Sequence, residues 1–162
     1  MLLFLILLGV ALFIWLLAWA LGQLVHRVLG DNLGRGARLL VALLVVQFAL
    51  GMAANLFQEI PDVEPWRVFH ELGPIVWHAF NGLVIVIFAV WLRVLAGRQK
   101  RYVVHVAIGG TATAVAFVSG VIFVNLGKND VFSYLMALGF ITALLEFSYV
   151  GFRTLAPGPK KK

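Results

Sequence analysis

WRVFHELGPIVWHAFNG, running from Trp66 to Gly82, carries the chain from a polar loop into an apolar helix, and the reading of the fold starts there. Trp66, Phe69 and Leu72 fall on one side of a helical turn, with Arg67, His70 and Glu71 on the other. That pattern describes a short amphipathic segment, residues 65–72, lying in a membrane interface. Gly73 ends it, and Pro74 suits the first turn of a new helix because its missing N–H needs no partner there. His78, Asn81 and Gly82 then give this apolar helix a polar, small-residue face.

The composition agrees with a membrane environment. The 162 residues are 62% hydrophobic and 12% charged, where soluble domains run near ~45–50% apolar and ~25% charged. A water-soluble globule is therefore excluded. Cysteine is absent, which removes disulfides, iron–sulfur clusters and thiolate metal sites from consideration. The net charge of +6 does not describe a basic face on a soluble fold, as nucleic-acid binding requires. The basic residues punctuate apolar runs, so anionic lipid headgroups are the partners they suit.

Working outward from Pro74, the sequence predicts an all-α, polytopic protein with five transmembrane helices in a single membrane domain, 1–162. Residues 1–22 are nearly unbroken apolar side chains, about the ~20 needed to cross a ~30 Å hydrocarbon core. They lack the basic start and small-residue cleavage site of a signal peptide. Residues 1–26 thus form an additional N-terminal transmembrane helix. A polar turn with Gly30, Gly34 and Gly36 follows, then a four-helix core over 38–155 and a basic tail, 156–162. The core spans are expected at about 39–57, 74–95, 102–126 and 131–155. Gln47, Gly51 and Asn55 recur at a spacing of four and so share one helix face. Ala112, Ala116 and Gly120 repeat the small-xxx-small spacing that lets membrane helices approach closely.

With five spans, Arg27, Arg35, Arg38, Arg93, Arg98, Lys100, Arg101, Arg153, Lys160, Lys161 and Lys162 share one side, and only Arg67 and Lys128 take the other. The positive-inside rule then puts the N-terminus outside and the C-terminus in the cytoplasm, in a cell's inner (cytoplasmic) membrane.

Depth follows at ~1.5 Å per residue. Met52, Asn55, His78, Asn81, Asn125 and Met136 fall in one layer, the outer leaflet, on four helices. Polar groups in hydrocarbon are costly unless paired, so these side chains are expected to converge on a pocket. The structural reading makes the asparagines interhelical glue and His78 a packing histidine bonded to a backbone carbonyl or an asparagine. The functional reading makes His78 a haem or metal ligand or a quinol partner, with methionine as a second soft ligand. His78 and His105 sit near opposite faces, so they cannot share a haem. His26 and His105 share the cytoplasmic rim, and His70 lies across the Gly73–Pro74 break. Glu146 is the only acidic residue within a span. It shares a face with Thr142 and Tyr149 and is expected to bond a threonine or to relay protons. No hydrolase triad, zinc-helix motif, phosphate-cradling loop or nucleotide fingerprint occurs.

VVQFALGMAANLF, the histidine of WHAFNG, and VSGVIFVNLGKNDVFSYLMALGF resemble a group of small multi-pass bacterial membrane proteins that lack an assigned activity. Gln47, Leu50 and Gly51, followed by His78 and Ala79, more remotely resemble one half of a haem A synthase, and the layout is similar to four-helix membrane cytochromes b. That resemblance implies haem b held by His78. The leading functional expectation is a small redox module binding b-type haem or quinol in electron transfer. The alternatives are a non-catalytic accessory or assembly subunit of a membrane complex, partnered by other membrane subunits or by further copies of itself as a homo-oligomer, and a small transporter using Glu146.

Overall fold

The computed structural model describes residues 32–59, 73–125 and 129–155. They form four helices, α1 (Leu33–Phe57), α2 (Pro74–Gln99), α3 (Val103–Asn125) and α4 (Asp130–Arg153). Each is long and apolar enough to cross a membrane, at 23 to 26 residues. At the helical rise this is about 35–39 Å. Five spans are expected from the sequence. The described residues hold four, and the N-terminal span (1–22), the interfacial segment (65–72), His26 and His70 lie outside them.

Local chemistry accounts for most of the helix ends. Pro74 opens α2 behind an extended Gly73. Asn129 caps α4, its side-chain oxygen accepting from the Val131 N–H at 2.9 Å, which satisfies one of the orphan donors at a helix start. At the other end of α2 the expected stop near residue 95 is wrong, because the helix runs on to Gln99. Lys100 closes it in the left-handed conformation, its N–H directed at the carbonyls of Ala96 and Gly97. The beginning of α1 also differs. Gly34 and Gly36, read as turn residues, are buried inside the helix. A Cβ on Gly36 would come within 2.7 Å of the Leu92 side chain. Here close packing on a neighbouring helix overrides the low intrinsic propensity of glycine.

The helices run up, down, up, down around a ring. Gly36 meets Trp91 and Leu92, and Gly51 meets His78, so α1 and α2 are antiparallel. Gly82 faces Phe117 and Gly110 faces Ala89, which pairs α2 with α3 in the same sense. The seam between α3 and α4 brings a glycine onto the backbone of the facing helix. A Cβ on Gly139 would lie 2.6 Å from the Ala112 carbonyl oxygen and 2.9 Å from the Ala116 Cβ, while Gly120 meets Met136. The small-residue spacing on α3 therefore packs against α4. Finally, the Arg38 guanidinium donates to the Gly151 carbonyl at 3.1 Å, tying α1 back to α4.

One end of the bundle is basic. Arg35, Arg38, Arg93, Arg98, Lys100, Arg101 and Arg153 lie toward it, and Glu59 and Asp130 lie at the other. Most of the buried apolar side chains belong to the half nearer the basic end, among them Leu40, Leu92, Val106, Phe147 and Val150. A smaller cluster of Ala54 and Ile75, with Val76 and Val124 packed on it, occupies the opposite half.

Candidate functional site

Two polar clusters lie within the helices. The first joins α1 to α2. His78 Nδ1 is 3.1 Å from the Gln47 carbonyl oxygen, and His78 Nε2 is 3.2 Å from the Gln47 side-chain nitrogen. Asn81 Nδ2 donates to the Leu43 carbonyl at 3.1 Å and to Gln47 Oε1 at 2.8 Å. Two backbone carbonyls orient this whole network. A carbonyl can only accept, so Leu43 requires the Asn81 amide nitrogen to face it. Gln47 then turns its oxygen toward Asn81 and its nitrogen toward His78. The Gln47 carbonyl likewise requires the proton on His78 Nδ1, which leaves Nε2 as the acceptor. Donor meets acceptor at each of the four contacts.

Glycine makes the room. A Cβ on Gly51 would come within 2.9 Å of His78 Cε1, and one on Gly82 within 3.2 Å of the Gln47 amide nitrogen. The ring thus rests on the backbone of α1. To take a metal or haem iron through Nε2, His78 would have to lose the Gln47 amide, since that lone pair is already used. As arranged, both ring nitrogens serve contacts to Gln47. Among the described residues no group of three or more His, Cys, Asp or Glu side chains could hold a metal ion.

The remaining members of the expected outer-leaflet layer do not join His78. Met52 and Asn55 are exposed on the surface of the bundle. Asn125, also exposed, donates to the carbonyl of Val121 in its own helix at 2.7 Å. Met136 packs on Gly120. Of the six, only His78 and Asn81 come together, and the residue that links them is Gln47.

The second cluster lies toward the basic end of the α3–α4 seam. His105 Nδ1 is 2.7 Å from Glu146 Oε2, with side chains 40% and 22% exposed. The expected threonine partner of Glu146 is not used. Thr113 instead donates to the Gly109 carbonyl of its own helix at 2.8 Å. The Tyr149 ring lies 4.5 Å from the imidazole, centroid to centroid, and Tyr102 meets both rings at 6.5 and 6.3 Å. Arg101 and Arg153 sit over the Tyr102 and Tyr149 faces at 5.0 and 5.5 Å, a favourable cation–π arrangement.

Tyr102 reaches this position by an uncommon backbone route. Its φ is 54° and that of Lys100 is 50°, left-handed conformations that cost a non-glycine residue about 1–2 kcal/mol each. Strain of this kind is concentrated at functional sites, and here it sets an aromatic ring beside the imidazole. The Glu146 carboxylate holds the His105 ring through Nδ1, which turns Nε2 outward to accept or donate a further hydrogen bond. A carboxylate–imidazole pair of this kind is the arrangement by which enzymes orient a general base.

From the sequence alone His105 is a rim histidine with no role; the fold gives it Glu146 as a partner. His105 is two residues from the start of α3 and Glu146 seven from the end of α4. That offset corresponds to about 7–8 Å along the axes. Only the register of the seam and the reach of the two side chains close it. Compared with protein-family models, curated proteins and solved structures, the chain matches none of them.

Proposed function

We propose that this chain is a quinol-binding redox subunit of the cytoplasmic membrane, with His105 and Glu146 at its site. It has five spans, the N-terminus outside and the basic end in the cytoplasm. The observation that carries the reading is the 2.7 Å contact between His105 and Glu146, set between two tyrosine rings at the basic end. A quinol head is an aromatic ring with hydroxyls on opposite edges. His105 Nε2 accepts from one hydroxyl, Glu146 fixes the imidazole behind it, and the edges of Tyr149 and Tyr102, whose faces carry Arg153 and Arg101, border the ring. The surrounding arginines suit the headgroup level of an anionic leaflet, where a quinol head resides. Electrons pass to or from a redox centre on a partner membrane protein.

The test is a titration of purified protein in nanodiscs with a short-chain benzoquinone, read by quenching of intrinsic tryptophan fluorescence. His105→Ala and Glu146→Gln are each expected to weaken binding about tenfold or more, about 1.4 kcal/mol. Binding that is absent, or indifferent to both substitutions, ends this reading. A reduced-minus-oxidised spectrum checks the haem expectation on the same sample. A haem band abolished by His78→Ala would move the site to α1 and α2.

A second reading, a non-catalytic accessory subunit, draws support from His78, whose ring nitrogens both serve interhelical hydrogen bonds. It is favoured if stoichiometric partner proteins co-purify with the chain and His105→Ala changes neither their recovery nor the activity of the complex.

A further inference from the structure

The α3–α4 seam carries a second feature beside the His105–Glu146 pair. A shallow, open groove is lined by Ala107, Ile108, Thr111, Ala112 and Thr142. Its position follows from helical periodicity, since Ile108 and Ala112 lie three and seven residues beyond His105, and Thr142 lies one turn before Glu146. Ala107 and Thr111 lie further round α3, so the groove flanks the polar pair on the exposed side of the seam and extends away from the basic end, toward the middle of the span. Its depth comes from small side chains on α3, and its sides are methyl and methylene groups.

From this continuity we propose that the groove seats the prenyl tail of the quinol, so that the site takes a long-chain isoprenoid quinol entering sideways from the bilayer. The inference rests on the quinol reading above and adds the substrate class. A molecule with one polar aromatic head and one long apolar tail is the class that matches both parts of the seam at once. The groove contributes little through the hydrophobic effect, because lipid is as apolar as the groove lining. Its contribution is shape. Branched prenyl units in van der Waals contact with Ala107, Ala112 and the threonine methyls hold the tail along the seam, which aligns the head with His105 Nε2.

The experiment compares two ligands at equal mole fraction in phosphatidylglycerol-containing nanodiscs, a tail-less benzoquinone and the same head with a long polyprenyl tail. Wild-type protein is expected to bind the prenylated form about fivefold more tightly. Thr111→Phe, which fills the groove from its exposed edge, is expected to abolish that preference and leave tail-less binding as in wild type. Thr142→Phe, which fills it from α4, should do the same. If the preference survives both substitutions, the tail lies elsewhere and the inference fails while the quinol reading stands. Equal binding of both ligands by wild-type protein has the same consequence. If neither ligand binds, the quinol reading has failed and takes the inference with it. A photoreactive phospholipid acyl chain that labels Thr111 equally with and without excess prenylated quinone overturns the inference too, by making the groove an ordinary lipid contact.

Discussion

Gln47 shows how much a single side chain can organise in a membrane helix. Its amide is the only group of the first cluster that touches both His78 and Asn81, and its carbonyl receives the His78 Nδ1 proton. Interhelical hydrogen bonds in membranes average about 0.6 kcal/mol, because the separated helices also find partners. Removing one side of a satisfied pair costs more, since the other is left without a partner. Gln47→Leu is accordingly expected to destabilise the bundle by about 1–2 kcal/mol. The double substitution Gln47→Leu, His78→Leu should cost less than the sum of the two single ones. Unfolding in a denaturing detergent titration measures all three. Strict additivity would mean that the network carries no coupling.

The α3–α4 seam is the element on which both the packing and the proposed site depend. Gly139 allows α4 to touch the backbone of α3 at Ala112 and Ala116. The same register places His105 opposite Glu146. Gly139→Val puts a branched side chain where 2.6 Å separates an ideal Cβ from a carbonyl oxygen. Backbone cannot yield as a flexible side chain can, so a loss of about 2 kcal/mol or more is expected. Gly110→Ala is the control, because its Cβ would find its nearest neighbour at 4.0 Å. Thermal denaturation in detergent should lower the midpoint for the first and leave the second near wild type. Equal effects would show that the contact at Gly139 does not hold the seam.

At the scale of the molecule the governing feature is charge asymmetry. The basic residues of the four described helices all lie toward one end, the end that also carries His105 and Glu146. Since short basic loops are retained in the cytoplasm, a cysteine placed near Lys100 is expected to resist a membrane-impermeant thiol reagent in intact cells, and one near Glu59 to react. The wild-type chain has no cysteine, so the labelling background is clean. The reverse pattern would put the proposed quinol site on the outer face.

Much of this architecture was legible in the chain before any tertiary contact was known. Apolar length delimited the four described spans, Pro74 marked the start of α2, and the alanine and glycine spacing of α3 marked a close-packing face. All are properties of consecutive residues, which is why they survive without a structure. Helix ends at Leu33 and Gln99 were less legible: Gly34 and Gly36 read as turn until Thr154, Trp91 and Leu92 pack on them, and the exposed Gly97 and Arg98 continue α2 for a further turn. The site was the least legible. Depth counted along separate helices grouped Met52, Asn55, Asn125 and Met136 with His78, although rotation about each axis turns the first three away from it. Consecutive residues were enough to specify a bundle of membrane-length helices with polar side chains inside them. Which of those side chains meet was settled by packing, because hydrogen bonding depends on the register and rotation of each helix against its neighbour, and no local run of residues encodes either.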